Sequence, residues 1–212
     1  MDGRYLGRWL WTSGVVLLPM VLGLLLWERL PQTMAIHFGW SQGADGFSGR
    51  AFAVFAIPLI LLAFHLFLGL VTALELRGGE GGPAHSLVMW VMPAVSAFTA
   101  ALVYSYNLGL EVSVGRWANW FLALVFLVLG RQLPNLTPNP VAGVRLPWTL
   151  ASEENWRRTH VLAGRLFRVL GLLMVLSSLL PIHPLIPFSV ALSLALLTPT
   201  GYSLFLHRRR GL

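Results

Sequence analysis

Long apolar runs separated by short polar segments dominate the chain, and six of the runs have the length of a helix that crosses a lipid bilayer. The first covers about Trp9 to Trp27, between Arg8 and Glu28. Its 19 residues reach ~28 Å at ~1.5 Å each, close to the hydrocarbon thickness. The second covers about Ala51 to Leu74, and the third about Ser86 to Leu110. The fourth, from Trp117 to Gly130, has only 14 uncharged residues; Arg116 and Arg131 snorkel at its ends, so it extends to Leu133 before Pro134 stops it. The fifth runs over 158–180, on a helix that starts near Ser152, and the sixth over 187–206. The predicted fold is all-α, an integral membrane bundle of six transmembrane helices forming one multi-pass domain over residues 1–212.

The polar segments give the bundle a direction. Of fifteen Arg, twelve lie in the N-terminal segment, the second connection, the fourth connection with the start of the fifth helix, and the C-terminus; only Arg29, Arg50 and Arg116 lie in the other three connections. By the positive-inside rule, both termini are then cytoplasmic. The first run is longer than the apolar core of a signal peptide and lacks a small-x-small site before Glu28, so it reads as a retained helix. Hydrophobic residues make up 56% and charged residues 11%, against about 25% charged in soluble domains. So few charges cannot form a water-facing shell. The formal charge of +7 sits beside the apolar spans and not in a separate basic module, which points to lipid headgroups and not to nucleic acid. With no Cys, disulfides, thiolate catalysis and Cys-ligated metals are excluded.

Helix breakers fall between the spans. Gly78-Gly79-Glu80-Gly81-Gly82-Pro83 reads as a cytoplasmic turn and Pro181-Ile182-His183-Pro184 as a tight outer turn. Two segments are richer in special residues than connectors require. The outer loop, Leu30 to Ser48, has turn signals around Gly39 to Gly43 and at Asp45-Gly46. His37, flanked by apolar residues, suits an extended segment, with its ring hydrogen-bonded to a carbonyl. Glu28, His37, Asp45, Glu111 and His183 share the predicted outer face, but their spacing matches no metal motif.

The cytoplasmic segment from Pro134 to Leu150 is braced by Pro134, Pro138, Pro140 and Pro147, which forbid helix in its first half. Ser152 is a candidate N-cap, with Glu153 and Glu154 at the positive end of the helix dipole. Glu153–Arg157 and Glu154–Arg158 form i,i+4 pairs. Trp156, Ala163 and Leu170 lie seven apart and form a buried stripe.

Asn139-Pro140-Val141-Ala142-Gly143-Val144-Arg145-Leu146-Pro147-Trp148-Thr149-Leu150, followed by Trp156-Arg157-Arg158-Thr159-His160 and Gly164-Arg165, resembles the signature of SdpI-type membrane proteins. Leu30-Pro31, His37-Phe38-Gly39 and Gly43-x-Asp45 resemble the other half of that pattern. The chain departs from it at Gly130-Arg131-Gln132, where similar proteins carry Gly-Asn-Tyr. The resemblance implies a bacterial cytoplasmic membrane protein that confers immunity to a secreted killing peptide or senses it. Without catalytic or metal motifs, no enzyme activity, cofactor or metal is expected. The expected partners are the lipid bilayer, a toxin peptide outside and a cytoplasmic regulator inside. His37, Phe38, Gly39, Gly43 and Asp45 are the candidates for the outer contact. Asn139, Gly143, Arg145, Pro147, Trp148, Thr149, Trp156, Thr159 and His160 are the candidates for the inner one.

Two rival readings rest on particular residues. Glu153-Glu154-Asn155-Trp156-Arg157-Arg158 fits the E-E-x-x-x-R of CAAX-type membrane proteases. The accompanying F-x-x-x-H and H-x-x-x-N or H-x-x-x-D motifs are absent at every His, as are H-E-x-x-H and G-x-S-x-G. A small-solute or ion transporter would place an ionisable group at mid-bilayer, where His65 is the candidate; a lone His there is more often hydrogen-bonded across helices.

Overall fold

A computed structural model describes residues 3–76, 83–139 and 141–211. The chain forms two compact units, Met1–Val114 and Gly115–Leu212. Six helices among the described residues are long and apolar enough to cross a membrane: Leu6–Leu25, Phe52–Leu74, His85–Asn107, Val114–Asn135, Glu153–Ser177 and Leu185–Arg210. Their side chains are distributed inside out. Leu10, Trp11, Phe67, Leu74 and Leu197 are exposed, whereas Thr12, His65, Ser96, Asn119, Asn155, His160 and Ser203 are buried. A solvent of acyl chains produces that pattern, because it accepts apolar groups and leaves polar ones to find partners within the protein.

In the first unit, α1 (Gly3–Leu25), α2 (Ile57–Leu76) and α3 (Pro83–Asn107) pack together. The all-α expectation is corrected between α1 and α2. A 3-10 turn, Trp27–Arg29, leads into an antiparallel hairpin of β1 (Thr33–Phe38) and β2 (Ala44–Gly49). Six-residue strands cannot be distinguished from loop by hydropathy alone, and here the tight turn decides. Gly39 N–H bonds the Gly43 carbonyl at 3.0 Å, and Gln42 takes a left-handed φ of 63°. The turn signal at Gly39 to Gly43 is realised, whereas Asp45-Gly46 lies within β2 beside an irregularity in the ladder.

Leu30, Met34, Ala53, Val54, Ala100, Val103 and Tyr104 form the core beneath the hairpin. A π-turn, Phe52–Ala56, precedes Pro58, whose missing N–H would otherwise interrupt the helix. Helix α3 satisfies carbonyls of α1 around Pro19: Ser96 Oγ donates to Val16 at 2.8 Å and the Tyr104 hydroxyl to Pro19 at 3.0 Å. His65 is wholly buried in α2, with Nε2 3.0 Å from Thr12 Oγ1 on α1 and its ring against Trp9. It is a helix-to-helix tether, as expected of a lone His.

In the second unit, α4 (Val114–Gln132) ends in a 3-10 turn, Leu133–Asn135, where Pro134 was expected to stop it. A short α5 (Pro147–Ala151) is followed by α6 (Glu153–Ser177) and α7 (Leu185–Arg210). Trp156, Ala163 and Leu170 are all buried, so the stripe on α6 forms as its spacing predicts. Helices α4 and α6 approach at glycines. A Cβ on Gly164 would stand 2.5 Å from the Pro134 ring and 2.9 Å from the Gly130 carbonyl. Asn119 Nδ2 donates to the Met174 carbonyl at 2.7 Å, tying the same two helices together. The glycine-rich connection Gly78 to Gly82 lies outside the described residues.

Candidate functional site

The first candidate site is the hairpin. His37 Nδ1 and Asp45 Oδ1 are 2.6 Å apart, and both side chains are exposed, at 73% and 54%. The expected partner of His37 was a carbonyl; the structure gives it the Asp45 carboxylate instead, because the ladder irregularity sets His37 opposite Gly46 and next to Asp45. The glycines around the pair are there for room. A Cβ on Gly46 would lie 2.7 Å from that of His37, and one on Gly39 would collide with the Asp45 carboxylate. Phe38 packs edge-on against Tyr106 of α3, so it anchors the hairpin; Gly43 closes the turn.

One important residue was missed from the sequence. Asn107, the last residue of α3, accepts from Ala35 N–H at 2.8 Å and donates to the Ala35 carbonyl at 2.9 Å. It also donates to Val103 at 2.8 Å. Its one signal was a lone amide ending an apolar run.

The second candidate site is the cap formed by residues 135–160. Asn139 shapes its first turn, accepting from the N–H groups of Val141 and Ala142 and donating to the carbonyls of Thr137 and Ala142. Gly143 follows with φ 123°, and a Cβ there would collide with the His160 ring and reach within 3.0 Å of Trp156. His160 is fully buried. Its Nδ1 bonds the Trp156 carbonyl at 2.8 Å, and its Nε2 receives the Val144 N–H at 2.9 Å. Since a carbonyl accepts and an N–H donates, the ring is the neutral tautomer with its proton on Nδ1. Trp156 stacks on that ring at 4.0 Å and donates Nε1–H to the Leu136 carbonyl at 2.6 Å.

Thr149 accepts from Leu146 N–H at 2.9 Å and donates toward the Val144 and Leu146 carbonyls. Trp148 donates to Ser203 Oγ at 3.1 Å and stacks over His207, both on α7. Thr159 donates to Asn155 Oδ1 at 3.0 Å, and Asn155 donates to the Ser203 carbonyl at 3.1 Å. Ser203 and His207 were not anticipated as partners, because nothing local links them to a segment some fifty residues earlier.

Ser152 is the N-cap expected, accepting from Asn155 N–H at 3.2 Å. The Glu153–Arg157 pair is corrected: Arg157 pairs with Glu154 at 2.9 Å, and Arg158 pairs with the same carboxylate. Glu154 thus lies between both guanidinium groups on one face of the first turns. Thr149, Trp156, Thr159 and His160 are buried, and Arg145 and Pro147 are exposed. Arg145 makes no hydrogen bond or ion pair among the described residues. No three His, Cys, Asp or Glu come together as a metal-binding group among the described residues.

Apolar helices around buried polar tethers, with ordered polar structure at the helix ends, define a multi-pass helical membrane protein. A model of the SdpI/YfhL protein family matches residues 135–203, which comprise the cap, α6 and most of α7. A domain of unknown function (DUF1648) matches residues 14–62, from mid-α1 through the hairpin to α2. The chain is also similar to immunity protein SdpI of Bacillus subtilis (strain 168), at 22% identity over 169 residues, 77% of this chain and 78% of that protein. No solved structure matches. The family match and the similarity to an SdpI protein together support an SdpI-type protein.

Proposed function

We propose that the protein confers immunity to a secreted antimicrobial peptide from within a bacterial cytoplasmic membrane, meeting the peptide at the hairpin. The termini and the cap then lie on the cytoplasmic side, as the Arg distribution favours. One observation carries the reading: the His37–Asp45 pair is held on the hairpin's outer face with room cleared by Gly39 and Gly46, yet its side chains remain exposed. The cap contributes differently. Its motif residues are mostly spent on internal bonds, which leaves Arg145 and Pro147 as the contact offered to a cytoplasmic regulator or to headgroup phosphates. Similarity to a protein named for immunity supports the same reading.

The test is deletion of the gene, followed by survival against a panel of membrane-active secreted peptides. Deletion is expected to sensitise the cells to at least one of them, with rescue by the wild-type chain and weaker rescue by Asp45→Ala. Unchanged survival across the panel overturns the reading.

A further inference from the structure

Helices α4 and α6 touch through Gly130 and Gly164, and arginines flank the contact. The two helices run antiparallel, because Gly130 meets Gly164 near one end of the seam and Asn119 meets Met174 nearer the other. In such a pair the residue after each contact point turns to the same side of the seam, by about 100°. Arg131 and Arg165 therefore share one side, and Arg168, one turn on from Gly164, leans toward it as well. The opposite side is occupied: Phe126 and Phe167 stack there at 4.9 Å, in a cluster with Ala191 and Ala195 of α7. A helical Cβ tilts toward its own N-terminus, so Arg131 leans away from the cap while Arg165 and Arg168 lean toward it, and the three converge. Arg168 shows the tilt. Its Nε donates to the Gly164 carbonyl at 3.2 Å, and its Cγ lies 2.7 Å from the position of a Cβ on Gly130. All three residues are exposed.

These charges stand at acyl-chain depth. Arg168 is nine residues from Ser177, the end of α6 remote from the cap, and Arg165 is twelve, which is ~14 and ~18 Å at ~1.5 Å per residue, inside a hydrocarbon layer of ~30 Å. A charge there needs a partner, and the second unit supplies none. It holds ten Arg and two acidic side chains, Glu153 and Glu154. Glu154 is taken by Arg157 and Arg158. Glu153 is twelve residues from Arg165, ~18 Å along the helix. The other Arg stand elsewhere: Arg116 at the opposite end of α4, Arg145 in the cap, and Arg208, Arg209 and Arg210 at the end of α7. Arg131 and Arg165 make no side-chain hydrogen bond or ion pair among the described residues. Two turns farther from the cap, seven residues from Arg131 and from Arg165, the same side carries Leu124 and Leu172, each 56% exposed.

We infer that this side of the α4–α6 seam binds an anionic phospholipid from the leaflet on the cap's side. Its phosphate is held among Arg131, Arg165 and Arg168, and an acyl chain lies along Leu124 and Leu172. Arg165 and Arg168 reach toward the interface, and local thinning of the bilayer brings the phosphate to meet them. The source is a lipid and not free phosphate, because the charges adjoin an apolar strip at hydrocarbon depth. A net-negative headgroup is selected over a choline headgroup, whose cation would join three guanidinium groups. The site is separate from the hairpin and does not depend on its peptide contact.

The test uses the full-length chain in a nonionic maltoside detergent, with dioleoylphosphatidylglycerol as the probe and bound lipid counted by native mass spectrometry. The wild type is expected to retain this lipid and to release dioleoylphosphatidylcholine. Arg131→Gln, Arg165→Gln and Arg168→Gln should each weaken retention about tenfold. The triple change Arg208→Gln, Arg209→Gln and Arg210→Gln removes as many charges from the end of α7 and should leave retention unaltered. Excess inorganic phosphate should not displace the lipid. Equal retention of the two lipids overturns the site, as do unaltered single variants and an equal loss in the α7 variant. Displacement by inorganic phosphate overturns the lipid in favour of a free anion. Where an Arg variant fails to fold, Leu172→Trp decides. Its added fluorescence should be quenched more by phosphatidylglycerol with brominated acyl chains than by the matching phosphatidylcholine, and equal quenching overturns the inference.

Discussion

Replacing Gly143 with Ala tests whether the cap is a single locked structure. The backbone there has φ 123°, a region almost reserved for glycine, and the added methyl would collide with the His160 ring and press on Trp156. Neither neighbour can swing aside, because His160 Nδ1 is bonded to the Trp156 carbonyl and the two rings are stacked. Backbone strain at such a position costs about 1–3 kcal/mol. Displacing the turn also breaks the Val144-to-His160 hydrogen bond, worth about 1 kcal/mol. The expected loss is therefore about 2–4 kcal/mol, measured by reversible unfolding in mixed micelles with Trp fluorescence as the probe. Gly201→Ala is the control in the same unit: that glycine lies in α7 with no atom within 4 Å of an added Cβ. The control should be neutral or stabilise by up to about 1 kcal/mol. If Gly143→Ala lies within about 0.5 kcal/mol of the wild type, a range typical of inconsequential surface changes, the turn is not held by His160 and the account of the cap is wrong.

Other substitutions probe the remaining contacts. Asn107→Ala removes both bonds to Ala35 and should speed exchange of the Ala35 N–H, at a cost of about 1–3 kcal/mol; unchanged exchange would mean that the hairpin is held by other means. Trp156→Phe keeps a ring over His160 but strands the buried Leu136 carbonyl, costing about 1–3 kcal/mol in the same unfolding assay. Gly164→Leu should separate α4 from α6, since Pro134 and the Gly130 carbonyl already crowd the position. A loss of about 1–3 kcal/mol, typical of overpacking, is expected. Glu154→Gln should leave the unfolding midpoint and peptide protection unaltered, because its pairs with Arg157 and Arg158 are surface pairs. Lost protection would reopen a chemical role for that carboxylate.

What could be read in the sequence was whatever the bilayer or the local backbone dictates. The helices follow from apolar length, the buried stripe of Trp156, Ala163 and Leu170 from its spacing, and the stop at Pro134 and the Ser152 cap from backbone chemistry. Relations across sequence distance were not legible. Ala35 and Asn107 meet across 72 positions, and Trp148 and Ser203 across 55. The hairpin reads as a loop in the sequence because its pairing depends on one turn and on Asn107. Glu154 rather than Glu153 meets Arg157 because i,i+3 and i,i+4 neighbours compete on a helix, and side-chain geometry decides between them.

The amide of Asn107 stands where a further strand would lie, and this has a mechanical consequence. It terminates a helix of 25 residues, a rod of about 37 Å at ~1.5 Å per residue. A hairpin fastened to the tip of that rod through Ala35 cannot be lifted, twisted or tilted without loading the rod. Movement of the rod's far end is likewise delivered to the hairpin as a tug on β1.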